Sequence, residues 1–146
     1  MKRFVVLVGS IVLVSILFCP MVIAAPPMPD DLQIVQPDPS LPKELSAFFG
    51  KWEGSAERYD WFVIVGKIDE EKASLYVWRN TDFPPGGACA MPRGWIRPEA
   101  LVTKQGGKYK LSFRDTCGIY DLTVKGKYLN IYNLSNISSP QLRRVP

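Results

Sequence analysis

The sequence predicts an all-β protein, an eight-stranded antiparallel up-and-down barrel preceded by a short N-terminal helical turn. Three observations predict it. From Lys51 onward, short apolar segments rich in Val, Ile, Tyr, Phe and Trp alternate with turn residues, the composition of half-buried strands. No window in that region repeats with a helical period. Eight such segments follow one another, and closing them into a barrel removes the sheet edges that would invite aggregation. A two-sheet sandwich is the competing arrangement.

At the N-terminus, Lys2 and Arg3 precede an apolar run from Phe4 to Phe18, followed by "PMVIAAPP". Charge, apolar stretch and small residues in that order predict a secretory signal over residues 1–24, cut between Ala24 and Ala25. A retained anchor is the alternative, because the run approaches the length of a tilted span. A lipoprotein site at Cys19 fits poorly, since Phe18 stands where a small residue is expected. Residues 25–42 hold six prolines and read as a flexible, extended tether. The barrel domain is expected over residues 43–146. "PKELSAFFG" opens it with one helical turn, started by Pro42 and stopped by Gly50. Leu45, Phe48 and Phe49 would form an apolar plug.

The predicted strands run over 51–57, 61–68, 73–79, 95–104, 108–114, 118–124, 127–133 and 137–145. A Pro- and Gly-rich insert, 80–94, separates the third from the fourth. Side chains alternate along a strand. The expected inward sets are Trp52, Gly54 and Ala56; Tyr109, Leu111 and Phe113; Tyr120, Leu122 and Val124; and Leu129 and Ile131. The second strand is apolar on both faces, so its register stays open between Trp61 and Phe62. In a closed even-stranded barrel the last strand lies beside the first. With Leu142 inward, Arg144 faces inward too, within reach of the Trp52 indole and of carbonyls at the barrel floor. Gly50 would let the chain turn into the strand, and Gly54 would let the strand bend.

Gly50-Lys51-Trp52 opening such a barrel, with Arg144 late in the chain, resembles the calycin group of lipocalins, avidins and fatty-acid-binding proteins. The stretch from "DPSLPKELSAFFGKWEG" through "PRGWIRPEALV" also resembles a small secreted bacterial lipocalin-like domain of uncharacterised function. The resemblance implies that Gly50, Trp52, Gly54 and Arg144 form a structural barrel floor. Heme-binding relatives with a G-x-W-x-G opening use a histidine on the iron, and this chain has no histidine.

Composition narrows the function. The chain carries 18 Lys+Arg against 14 Asp+Glu, two of the cations lie in the leader, and no basic run exceeds two residues. Nucleic acid is therefore not an expected partner. Once the leader is gone, Cys89 and Cys117 remain, an even pair in an exported chain, and are expected to form a disulfide. Such a bridge is worth roughly 3–4 kcal/mol and would pin the 80–94 insert over one barrel end. Without histidine there is no Ser-His or Cys-His pair. Glu53, Glu57, Asp60, Asp82 and Asp115 show no spacing that singles out a catalytic pair. No enzyme activity, metal or cofactor is expected.

Two readings remain. One is an exported barrel holding a small apolar molecule in or at its mouth. The other is an envelope-associated interaction module using the pinned insert, with Tyr59, Arg79, Phe83, Met91, Arg93, Trp95 and Arg114 as a binding rim. Either would be secreted or periplasmic, with no membrane span once the leader is cut. The sequons at Asn133 and Asn136 read as plain turn residues.

Overall fold

The computed structural model describes residues 26–56, 59–80, 93–133 and 140–146. The chain forms a closed eight-stranded antiparallel barrel with one extra strand. A one-turn helix, α1 (Lys43–Ser46), comes first. It is followed by β1 (Gly50–Ala56), β2 (Tyr59–Ile68), β3 (Lys72–Arg79), β4 (Gly94–Ile96), β5 (Glu99–Gln105), β6 (Lys108–Asp115), β7 (Gly118–Lys125), β8 (Tyr128–Asn133) and β9 (Gln141–Val145). Strands adjacent in sequence pair, except that β4 and β5 each pair with β3, and β1–β9 and β2–β3 pairing closes the cylinder.

The fourth expected strand is split. β4 and β5 both pair with β3, in one unbroken register (Trp78 with Trp95, Ala73 with Ala100). Arg97 and Pro98 interrupt the ladder between them. Pro98 has no N–H to give, although its carbonyl still accepts from the Leu75 N–H at 3.0 Å.

Alternation along the strands fills the interior. Trp52, Trp61, Val63, Val65, Leu75, Val77, Leu111, Phe113, Tyr120, Leu122, Leu129, Ile131 and Leu142 form one buried cluster, with Tyr109 and Val124 packed against it. Leu45 and Phe48 of the α1 turn plug one end, the floor. The Trp52 indole N–H donates to the Phe48 carbonyl there at 2.9 Å, so the ring is buried without an orphan donor.

The register of β2 is now fixed. Trp61, Val63 and Val65 point in, whereas Phe62 and Ile64 point out and form a second cluster with Tyr76. Bare, that outer face would leave large apolar side chains in water. The Pro-rich segment covers it. Leu32 packs on the cluster, the Tyr76 hydroxyl donates to the Asp31 carbonyl and accepts the Gln33 N–H, both at 3.0 Å, and Val35 N–H donates to Gly66 at 2.7 Å. Trp95 donates to the Pro27 carbonyl at 2.8 Å, and Arg97 makes two bonds to the Asp31 carboxylate. That pairing holds the Asp31 carboxyl below the usual aspartate range.

Residues 26–35 are extended on either side of a turn at Asp30–Asp31, where the Leu32 N–H donates to the Pro29 carbonyl at 3.1 Å, and they are a docked strap and not a free tether. The docking passes over a register shift between Val65 and Lys67. A Cβ on Gly66 would run into the Gln33 carbonyl oxygen and come within 3.2 Å of the Tyr76 ring. Gly66→Ala is therefore expected to lift the strap at a cost of about 1–3 kcal/mol. Thermal unfolding should report the loss, and proteolysis should cut within 26–35 before the barrel opens.

Candidate functional site at the barrel mouth

The connections after β1, β3, β6 and β8 emerge at one end, the mouth, opposite the α1 plug. β3 follows the inward parity of Ala73, Leu75 and Val77, which carries Arg79 inward at its upper end. Arg79 is 1% exposed. Its guanidinium carbon stands 5.0 Å from the Trp61 ring centroid and 5.5 Å from that of Tyr120. It pairs with the Asp115 carboxylate and reaches the Tyr120 hydroxyl at 3.5 Å. The other Asp115 oxygen accepts the Cys117 N–H at 2.7 Å, across the β6–β7 turn.

Beneath this ion pair lies an aromatic layer. Phe113 stacks on Tyr120 with centroids 5.1 Å apart, and Trp61 sits tilted 5.9 Å from Tyr120. Burial pushes the Tyr120 phenol above its ordinary range, and the Arg79 charge only partly offsets this. A guanidinium between two rings with a carboxylate on its edge is a desolvated charge satisfied from within the barrel. Replacing one partner alone would strand a buried charge.

The expected rim does not assemble as one surface. Arg79 belongs to the interior, for the parity reason above. Trp95 lies on the outer wall, edge-on to Phe62 at 5.9 Å. Tyr59 is half-buried against the core. Arg93 and Arg114 are exposed. Phe83 and Met91 fall outside the described residues, as do Cys89, Ala24 and Ala25. Cys117 is buried at the mouth.

The carboxylates are also dispersed. Asp115 holds Arg79, while Asp60 accepts from Ser55 Oγ and Asn80 Nδ2, each at 2.6 Å. Glu53 lies between Arg143 and Phe62 in the sheet register, and Glu57 and Asp82 are outside the described residues. Among the described residues, no group of three or more His, Cys, Asp or Glu side chains is placed to hold a metal ion.

At the floor, the Arg144 guanidinium stands 4.3 Å from the Trp52 ring centroid and donates to the Phe49 and Ala47 carbonyls at 2.5 and 2.6 Å. Gly50, at φ 115°, turns the chain beside it into β1. No protein family, curated protein or solved structure matches the chain, so the fold rests on the geometry described above.

Two outcomes follow from the mouth layer. Asp115→Asn should cost about 3–5 kcal/mol in denaturant unfolding, and Arg79→Met with Asp115→Leu should recover much of it. In an absorbance titration Tyr120 should ionise above the ordinary tyrosine range. Above the ordinary tyrosine range the unfolded chain loses that proton and the folded chain keeps it, so stability falls as pH rises there. Tyr120→Phe should remove that part of the fall.

Proposed function

We propose that the chain is an exported, non-enzymatic, calycin-type barrel that recognises an envelope protein at its mouth and does not store a ligand inside. The observation that carries this reading is the filled interior: Trp52, Leu75, Leu111, Tyr120, Leu122 and Arg79 are all at most 1% exposed. Eight strands enclose room for side chains or for one small ligand, and here the side chains take it.

A loop fixed at both ends is the natural contact element on such a scaffold. The β3–β4 pairing of Arg79 with Gly94 brings the two ends of the 80–93 insert together at the mouth. A Cys89–Cys117 bridge would pin the insert further, to the turn beside Asp115. The second reading is a small apolar molecule bound at the mouth. It is favoured by the aromatic layer of Trp61, Phe113 and Tyr120. The Lys2-Arg3 leader supports a secreted or periplasmic setting, and no described helix is long and apolar enough to cross a membrane.

Expression with the native leader and purification from the periplasm test these points. The intact mass should begin at Ala25 and carry one disulfide. Native mass spectrometry should show no bound small molecule, and crosslinking should capture an envelope protein through the insert. Two free thiols would remove the pinned loop, and a stoichiometric small molecule would shift the assignment to the second reading.

A further inference from the structure

The fold gathers lysines that the linear sequence keeps apart. At the floor end, the β5–β6 turn carries Lys104 and Lys108, and the β7–β8 turn carries Lys125 and Lys127; all four are exposed. β6 and β7 pair with Leu111 opposite Leu122. Continued in that register, Lys108 stands level with Lys125 on the same outward face. Lys125 is in turn opposite Tyr128, and Tyr128 opposite Arg143. The outer row therefore reads Lys108, Lys125, Tyr128, Arg143 across adjacent strands, which lie about 4.8 Å apart. Glu53 ends the row beside Arg143.

Apart from Glu53 at its end, local carboxylates do not neutralise this row. The three acidic residues of 93–133 are all engaged elsewhere: Glu99 by Lys72, Asp115 by Arg79 and Asp121 by Lys110. Among the described residues, Lys104, Lys108, Lys125 and Lys127 make no ion pair. Lys104 and Lys127 instead lie over Tyr109 and Tyr128, with ammonium-to-centroid distances of 4.8 and 5.5 Å. The acidic turn Asp69-Glu70-Glu71 sits at the same end but on the β2–β3 side, so this end is electrically polarised. Like charges directly opposite each other destabilise a sheet, and a closed barrel gains nothing structural from Lys108 facing Lys125.

We propose that this basic–tyrosine face binds an anionic lipid bilayer surface. Its shape and composition favour a membrane over a linear polyanion. The two turns are glycine-tipped: a Cβ at Gly106, Gly107 or Gly126 would meet nothing within 4 Å. Two open tips and a row of side chains make a convex face that a flat surface can meet. Tyr128, set between Lys125 and Arg143 in the outer row, suits the headgroup depth of a bilayer, and each lysine near an anionic surface contributes about fivefold to binding. The inference stands apart from the mouth-end reading, because it concerns the opposite end of the barrel.

Vesicle co-sedimentation of the mature chain tests it, using phosphatidylcholine with and without phosphatidylglycerol. Binding should require phosphatidylglycerol, fall at high salt, and drop about 25-fold or more in Lys108→Glu/Lys125→Glu. Lys125→Glu alone should melt at or above the parent temperature, because it relieves the facing charges. Lys104→Gln/Lys127→Gln should weaken binding without altering the circular dichroism spectrum. Equal binding to both vesicle types, no binding to either, or undiminished binding by the charge-reversed chain would overturn the proposal. So would capture by heparin or single-stranded DNA without vesicle binding, which would make the face a soluble-polyanion site.

Discussion

The cylinder closes where β1 runs against β9, and Gly54 lets the two strands approach closely. A Cβ there would stand 2.6 Å from the Gln141 carbonyl oxygen and 2.9 Å from a Leu142 methyl. Any larger residue would force β9 to shift and strain the closure. Closure also fixes parity. With Leu142 buried against β1 and Trp52 inward beside Arg144, every other strand has one face committed to the interior. The position of Arg79, four residues above Leu75 on the same face, follows from that commitment.

Parity alone leaves the outside of β2 unexplained. Its outward Phe62 and Ile64 are as apolar as its inward Trp61 and Val63, and no alternation between two apolar faces can show which is which. The chain resolves this by laying the strap over one side of the barrel. The opposite side, β5 to β8, keeps a mostly polar exterior, as expected of a solvated antiparallel sheet, with Ser112 and Lys110 on β6 both donating to the Asp121 carboxylate on β7, although Leu101 and Tyr132 are also exposed. The two outer faces are therefore chemically different, although both belong to one continuous sheet.

What was legible in the sequence is what local alternation determines. The inward residues of β6, β7 and β8 can be read directly, as can the eight-stranded closure and the α1 turn. Arg79 was legible too, because it continues the Ala73-Leu75-Val77 parity; reading it as a rim residue took its charge as evidence of exposure. The strap was not legible. Its contacts join Gln33 to Tyr76 and Arg97 to Asp31 across long stretches of chain, and a Pro-rich composition describes its conformation without naming its partner. Pro98 was the available signal for the break inside the single strand expected over 95–104, but the constant register across it depends on β3. The facing Lys108 and Lys125 appear only when the two strands are paired.

The barrel ends are finished by the same device used with opposite electrical results. Each has an arginine over an aromatic ring, Arg144 over Trp52 at the floor and Arg79 between Trp61 and Tyr120 at the mouth. Arg79 meets a carboxylate, so its charge is cancelled where water is excluded. Arg144 meets neutral carbonyls, and desolvation lowers its pKa from the ordinary arginine value, which still leaves a guanidinium charged at neutral pH. The floor arginine thus adds its charge to the end that already carries Lys104, Lys108, Lys125 and Lys127, whereas the mouth arginine adds none to its own. A barrel built this way separates a charge-compensated aromatic layer near the mouth from a floor that is basic on its β5–β8 side and acidic at the β2–β3 turn.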